Sequence, residues 1–524
     1  MVLRRQLRRD RHPVQVCPAE AVDEQHHRPI ATEIGDVDRP VDIEHRGLHR
    51  LHPKEAPRSP APASPYTREH MGDGPHAVIL AAGQGKRMRS ALPKVLHPLG
   101  GRPLLLYTVD AVRTATGSAP VVAVARGDTA VRDVLGDGAI CVEQQAPLGT
   151  GDALRSIPET LRGAGPVLVV HGDAPLLRPE TLQRLLAAHA SSPRACTLLL
   201  GMPADPSGMG RVIRDGEGHV LRIVEEADLR PGEPVPMECN AGVYVFDGAQ
   251  LWPALDRLST SNAQSEYYLT DVVALLTGPV EAVVVADPNE VLGINDRRQL
   301  AAAEAVLRRR TVDALMLAGV TFEDPATAYI DPQVVVGRDS VIHAMTTLRG
   351  ATVLGSRCEI GPMAILTDVR AGDGVVVGPA HLDQCELGDG VRVGSYCRVR
   401  SNTVLASGVE LGTHAEVKNS TVGAGTRISH FSCVLDSDVG EAVNIGAGTV
   451  TCNYDGAAKH RTTIGNGVFV GTNSTLVAPV HLGDGSYVGA GSFVDHDVPA
   501  GALAVGRSRQ RNIEGWAARR PLQP

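Results

Sequence analysis

Aromatic side chains are scarce: phenylalanine, tyrosine and tryptophan make up 3% of the 524 residues, and only two are tryptophan. A core without large rings is filled by small and β-branched residues, which favours tightly stacked strands. Paired cysteines are missing as well. The nine cysteines stand singly at 17, 141, 196, 239, 358, 385, 397, 433 and 452. With no Cys-x-x-Cys spacing there is nothing to suggest a zinc or redox motif, and reduced thiols are expected. No run approaches the roughly 18 apolar residues of a membrane span, and the N-terminus has no signal-peptide apolar region. An excess of positive charge is also lacking: the formal charge is −8, which argues against a general nucleic-acid-binding surface. Together these absences predict a soluble, cytoplasmic protein with neither nucleic acid nor membrane as partner.

The length predicts two or three domains. Residues 1–70 are rich in Arg, His, Pro and acidic residues, show no apolar periodicity and end in APRSPAPASP. They are expected to be a disordered extension, since too little apolar surface is available to offset the entropy of ordering. The opening LRRQLRRDRH reads either as a solvated tail or as a basic contact patch, and Met71 is an alternative start. From 71 to 296, strand-like runs (AVILAA, VVAVA, VLVVHGD, ACTLLL, AGVYVF, AVVVA) alternate with helical stretches. That alternation predicts a doubly wound α/β domain with a mostly parallel sheet. Residues 297–320 turn helical, with Leu300, Ala303 and Leu307 on one side, and read as a linker helix.

A third pattern fills 321–524. Val336, Ile342, Leu348, Leu354, Ile360 and Leu366 recur every sixth residue; Leu387 to Val417 and Ile464 to Val494 do the same. Glycine often follows the aliphatic residue (Gly337, Gly355, Gly394, Gly412, Gly471), where a sharp turn or a left-handed backbone is expected. A hexapeptide period of this kind is the signature of a parallel β-helix whose aliphatics point inward.

Two glycines close the first strand, in 77-AVILAAGQGKRMRSALPK-94. A dinucleotide fingerprint needs a third glycine where Met88 stands, and a P-loop needs Gly-Lys-Ser/Thr at a spacing not found here. Two readings remain: a glycine-rich turn whose N–H groups face an anion, helped by Lys86, Arg87 and Lys94, or an ordinary strand-to-helix turn with solvated charges. Asp173, after VLVVH, reads by itself as a helix cap.

LAAGQGKRMRSALPKVLHPLGGRPLL resembles the nucleotide-binding signature of the sugar-1-phosphate nucleotidylyltransferases. With LGTGDA, HGDAPLL, QSEYYLTD, EVKNSTVG, VNIGAGTVTCNYDG and LVAPV, residues 76–516 resemble the bifunctional N-acetylglucosamine-1-phosphate uridylyltransferase/glucosamine-1-phosphate N-acetyltransferase family. That resemblance implies a left-handed β-helix, a homotrimer, and synthesis of the cell-wall precursor UDP-N-acetylglucosamine from UTP, acetyl-CoA and sugar 1-phosphates. It assigns Leu80, Ala81, Ala82 and Gly83 to the nucleotide, Arg87 and Lys94 to its phosphates, and Gln144, Gly149 and Thr150 to the uracil. Gly210, Glu225 and Asn240 would contact the sugar, and Asp173 with Asn295 would bind Mg²⁺. In the β-helix it assigns Arg400, Lys418 and Asn444 to the amino-sugar phosphate and His430 to the general base. Ala447, Asn453, Tyr454, Thr472, Ala490 and Arg507 would contact acetyl-CoA, which the family binds between adjacent subunits.

The sequence departs from the family pattern at three places. His171 precedes Gly172-Asp173 where a tyrosine is usual. In 430-HFSCVLD-436, Cys433 replaces a substrate-contacting tyrosine and Leu435 a glycine, and Arg400-Ser401-Asn402 replaces Arg-Pro-Gly. A thiol is a weaker hydrogen-bond partner than a phenol and leaves space. Uridylyl transfer is thus the firmer expectation. The alternatives are a nucleotidylyltransferase whose β-helix serves only for trimerisation, or one whose β-helix acts on another amino sugar.

Overall fold

The computed structural model describes residues 76–83, 85–203, 205–230 and 235–519; the expected disorder of residues 1–70 and the alternative start at Met71 fall outside them. The first sheet has the strand order Val280–Val284, Cys196–Gly201, Cys239–Asp247, Pro166–His171, His76–Leu80, Val121–Ala125, Ile140–Gln144. Every neighbouring pair is parallel except those made by Cys239–Asp247, which runs antiparallel to both of its neighbours. A hairpin, Arg211–Arg214 with Val220–Val224, extends from that strand. Helices Leu104–Thr116, Pro179–Ala190 and Gly248–Leu255 are among those covering the sheet, and two apolar cores result, one on each face.

The strand order reverses at His76–Leu80. The chain moves outward to Val121–Ala125 and Ile140–Gln144, then returns to pair Pro166–His171 along the other edge of the first strand, with Leu80 opposite His171. In an open α/β sheet the crevice at such a reversal, beyond the carboxyl ends of the strands, is where ligands bind. Residues 80–83 and 171–173 emerge there.

The helix Arg297–Leu317 is capped by Asp296, whose carboxylate accepts from the N–H groups of Arg298 and Gln299. Ala303 is buried against the α/β core, with Leu300 and Leu307 packed beside it, as the spacing predicts. Arg310 ties the helix down by donating to the Leu176 carbonyl at 2.7 Å and to Asp287 at 2.9 Å.

Beyond it, three parallel sheets of eleven, ten and nine short strands stack coil on coil as the left-handed β-helix of hexapeptide repeats. All the aliphatics of the three hexad series are buried. Between the series the inward positions slip, from Leu366 to Ala371, Leu382 to Leu387, Val417 to Val422 and Val434 to Val439. Each of these shortened corners holds a polar residue with positive φ: Asp368, Gln384, Asn419 and Asp436. A left-handed residue turns the chain in less length, and short polar side chains tolerate that conformation best.

Of the glycines that follow the aliphatics, Gly361 has the positive φ expected, at +105, but the others serve a different purpose. Gly355, Gly394, Gly412 and Gly471 do not have positive φ. A Cβ on Gly471 would lie 2.4 Å from the Ala490 nitrogen, and one on Gly394 2.8 Å from the Leu411 carbonyl. These positions lack a side chain because the next coil's backbone occupies its place. The left-handed corner residues lie two positions further on.

Candidate active sites

One cavity of about 450 Å³ opens at the strand-order reversal. It is lined by Leu80, Ala81, Ala82, Gly83, Arg87, Lys94, Gln144, Gly149, Thr150, Asp173 and Asn295, so the structure brings together eleven residues assigned to the nucleotide and metal. Gly83 has open space around its missing side chain, leaving its backbone available to a ligand. Gly85 has φ +58, and a Cβ there would sit 2.5 Å from the Lys94 Cβ. The second glycine therefore lets the turn close over Lys94. Met88, where a dinucleotide fingerprint needs glycine, is a 1% exposed core residue.

Lys94 extends from a short turn after Pro93, and its ammonium meets the Asp173 carboxylate and, at 3.2 Å, Oδ1 of Asn295. The Ile294 N–H donates to the Asp173 carbonyl at 3.0 Å, and the Asn295 N–H donates to the Gln299 side chain at 2.8 Å. Burial opposes ionisation of Asp173, but Lys94 and His171 outweigh it and hold the carboxyl below its ordinary range. Two oxygens of different loops thus converge on one positive charge. A carboxylate and an amide carbonyl are hard donors of the kind that bind Mg²⁺ through one or two protein ligands with substrate phosphates completing the shell, so the donor set fits that ion.

Gln144 lies at the end of its strand with both amide hydrogens engaged, to the Gly149 carbonyl at 3.1 Å and Asp152 at 2.8 Å. Among the described residues no donor is bonded to its Oε1, and Gln144 lines the cavity. Gly149 has φ +113 and no room for a side chain, since a Cβ would lie 2.6 Å from the Tyr267 carbonyl. The Thr150 hydroxyl accepts from the Leu269 N–H at 3.0 Å.

Gly210, Glu225 and Asn240 form a second cluster. The Asn240 N–H donates to the Gly210 carbonyl at 2.9 Å, and a Cβ on Gly210 would meet the Glu225 carboxylate at 3.4 Å. Burial raises the Glu225 carboxyl above its usual range, with the Thr270 hydroxyl donating to it at 3.0 Å in opposition. Asn240 donates to the Tyr244 hydroxyl at 2.6 Å and accepts from the Gly242 N–H, and Gly242 lies against the His171 ring. The cluster therefore borders the cavity through His171. Sequence reasoning did not assign His171 or Glu266 to the cavity lining; QSEYYLTD held the signal for Glu266 without marking which of its residues faces inward.

In the β-helix most of the assigned residues flank the two edges of the ten-stranded sheet, and Asn444 stands in a strand of the eleven-stranded sheet beside it. Along the first, the His430 carbonyl accepts from Gly448 at 2.9 Å, that of Ala447 from Asn473 at 2.8 Å, that of Thr472 from Gly491 at 2.8 Å, and that of Ala490 from the Arg507 side chain at 2.7 Å. His430, Ala447, Thr472 and Ala490 thus form a column, one residue per coil, closed by Arg507. Asn444 joins His430 in an open groove of about 460 Å³. Lys418, Arg400, Asn453 and Tyr454 lie at the other edge, a strand of three residues or about 10 Å away. Arg400 pairs with Glu416 at 2.9 Å, Lys418 lies opposite Leu435 in the neighbouring coil, and Cys433 lies opposite Glu416. Burial and then Glu416 raise the Cys433 thiol above its ordinary pKa. The groove that holds His430 and Asn444 is lined by neither Arg400, Lys418, Asn453 nor Tyr454.

The His430 ring is held at Nδ1, which accepts from the Thr413 N–H at 3.0 Å. The neutral ring then carries its proton on Nε2 and its basic lone pair is on Nδ1, so it takes up a proton at Nδ1 once a turn frees that nitrogen from Thr413.

Comparison with known proteins agrees with this architecture. The MobA-like NTP transferase domain matches residues 77–265, and the bacterial transferase hexapeptide (six repeats) matches 461–496. The chain is 45% identical to the bifunctional protein GlmU of Heliobacterium modesticaldum over 448 residues, 85% of this chain and 98% of that protein. It is 46% identical to that of Mycolicibacterium gilvum, covering 84% and 91%, and 45% identical to that of Mycobacterium tuberculosis, covering 85% and 93%. A reversal-point cavity lined by the nucleotide motif, a hexapeptide β-helix and likeness along most of both chains lead to one conclusion: the chain belongs to the bifunctional GlmU family, uridylyltransferase–acetyltransferases of UDP-N-acetylglucosamine biosynthesis.

Proposed function

We propose that residues 71–296 carry uridylyl transfer at the cavity around Lys94 and that 321–524 carry acetyl transfer at sites completed by a second and third copy of the chain, in the cytoplasm. The convergence of Asp173 and Asn295 on Lys94 is the observation that carries the first half. These two residues would hold Mg²⁺, which when bound screens the charge between the UTP phosphates and the attacking sugar phosphate. Arg87 and Lys94 neutralise further phosphate oxygens, and the open backbone at Gly83 lets the phosphates approach. Gln144 offers an acceptor, which suits N3–H of uracil and rejects cytosine, whose N3 is itself an acceptor. Gly210, Glu225 and Asn240 hold the N-acetylglucosamine so that its phosphate attacks the α-phosphorus. Positioning and charge suffice, with no protein nucleophile.

For acetyl transfer, His430 takes the proton from the amine of glucosamine 1-phosphate as it attacks the thioester, after its ring turns from Thr413. Arg400, Lys418 and Asn444 hold the sugar phosphate, and the column Ala447, Thr472, Ala490 with Arg507, Asn453 and Tyr454 holds acetyl-CoA. The homotrimer is supported by the split between the two edges and by exposed Met345, Met363, Tyr396 and Phe431 near the His430 corner. Tyr396, His414 and Phe431 stack there with ring centroids 5.0 and 4.9 Å apart. Trimerisation supplies both the missing edge and the cover for that apolar ridge.

Cys433 and Leu435 favour a second reading in which the acetyltransferase half accepts a different amino sugar phosphate. Purified protein with UTP, Mg²⁺ and acetyl-CoA, offered either glucosamine 1-phosphate or its N-acetyl form, separates the readings by product mass. UDP-N-acetylglucosamine from both sugars supports the first. Product from the acetylated sugar alone supports the second, and Cys433→Tyr then restores use of glucosamine 1-phosphate.

A further inference from the structure

Asp436 sits at a shortened corner with φ +47 and is 6% exposed. Its Oδ1 accepts from the side-chain amide of Asn419 and its Oδ2 from that of Asn453. Asn419 follows Lys418, and Asn453 opens the insertion that interrupts the hexads. That insertion is folded on itself: Asp455 accepts from the N–H groups of Ala457 and Ala458 at 2.8 Å and pairs with His460 at 2.8 Å. Its far end is tied down next to Asp436, with the Thr462 N–H donating to the Asp436 carbonyl at 3.2 Å. Arg461 donates to Asp438 at 2.8 Å and to the Asn419 carbonyl at 3.2 Å.

Asn453 donates one amide hydrogen to Asp436, which fixes the way its side-chain amide lies, and among the described residues no donor occupies the side-chain oxygen Oδ1. We propose that Asp436 is a positioning residue for acetyl transfer, setting the Asn453 amide so that an acceptor rather than a donor faces the substrate. A ligand N–H is the chemistry that acceptor recognises; the pantetheine amides of acetyl-CoA and the amine of the sugar both carry one. The inference rests on the acetyltransferase reading above.

Asp436→Asn tests it in the full-length protein. Asparagine has one oxygen for these two donors; with Asn419 kept on that oxygen, the new amide faces Asn453, which turns over, keeps its pairing and presents N–H outward. Expected is a rise of about tenfold in one KM of acetyl transfer, the effect of one lost neutral hydrogen bond. Uridylyl transfer and the rate of tryptic cleavage after Lys459 and Arg461 stay unchanged. A rise in the acetyl-CoA KM identifies the pantetheine amides as the ligand, and a rise in the amino-sugar KM identifies the amine. The double variant Asp436→Asn/Asn453→Asp restores an outward acceptor and is expected to restore that KM. Wild-type KM values for both Asp436→Asn and Asp436→Ala, or a loss in Asp436→Asn that the double variant does not reverse, overturn the proposal. Should the wild type acetylate no sugar, the acetyltransferase reading has failed instead. The pairing is then judged by trypsin alone: Asp436→Ala exposes the loop and Asp436→Asn does not if the pairing holds, and equal protection in both overturns it.

Discussion

The ammonium of Lys94 donates to Oδ1 of Asn295 across 3.2 Å, joining residues 201 positions apart at the mouth of the α/β crevice. The same ammonium meets Asp173, so the two candidate metal ligands are held together before any ion arrives. Asp173→Ala or Asn295→Ala is expected to lower uridylyl transfer by about 10²-fold or more, the scale of losing a preorganised electrostatic contact at a transition state. Pyrophosphate release under titrated Mg²⁺ reads the loss, and acetyl transfer serves as the internal control.

Gly149→Ala confronts backbone that cannot move aside, the carbonyl and nitrogen of Tyr267 at 2.6 and 2.9 Å from the added carbon, and requires φ +113. The displaced loop carries the carbonyl that engages Gln144. A fall in uridylyl transfer of about 10²-fold is expected, as for a misplacement of about 1 Å. Steady-state kinetics with UTP measure it.

Asp287 ties the linker helix to the α/β half through Arg310 at 2.9 Å and Arg178 at 3.4 Å. Partial burial works against its ionisation, but the hydrogen bonds from Arg310 and Asn289 outweigh it and hold the carboxyl below its ordinary range. Its folded pKa being depressed, its contribution is fully present above the unfolded value of about 3.9 and is lost as pH falls through the folded one. Asp287→Asn is expected to cost about 1 kcal/mol near pH 7, with the gap from wild type closing below about pH 4. Urea unfolding at a series of pH values measures it.

Leu405 is fully buried between coils. Leu405→Ala is expected to destabilise the β-helix by about 2–5 kcal/mol, while uridylyl transfer at 25 °C is retained. Thermal unfolding followed beside pyrophosphate release checks both halves.

The inward hexads were legible because a stacked coil buries the same position in every rung, so Val336 to Leu366 repeat without a slip. The slips between series were not, because Asp368, Gln384, Asn419 and Asp436 shorten corners by a backbone conformation that leaves no mark in hydrophobic periodicity. Gly83 and Gly85 looked alike in the sequence. Only the tertiary contact of Gly85 with Lys94 separates a glycine that faces a ligand from one that lets a side chain pass. The motifs located Lys94, Asp173 and Asn295, whereas Glu266, the engaged Nδ1 of His430 and the fork at Asp436 depend on rotamers and on neighbours in other coils.

The column of His430, Ala447, Thr472 and Ala490 places one residue on each rung, and adjoining rungs of a parallel sheet lie about 4.8 Å apart. That corner is therefore a ruler graduated by the backbone itself. An extended molecule laid along it is measured in whole rungs, so its length is checked by the number of coils between His430 at one end and Arg507 at the other. Removing a complete coil between them would bring the two ends closer by one graduation.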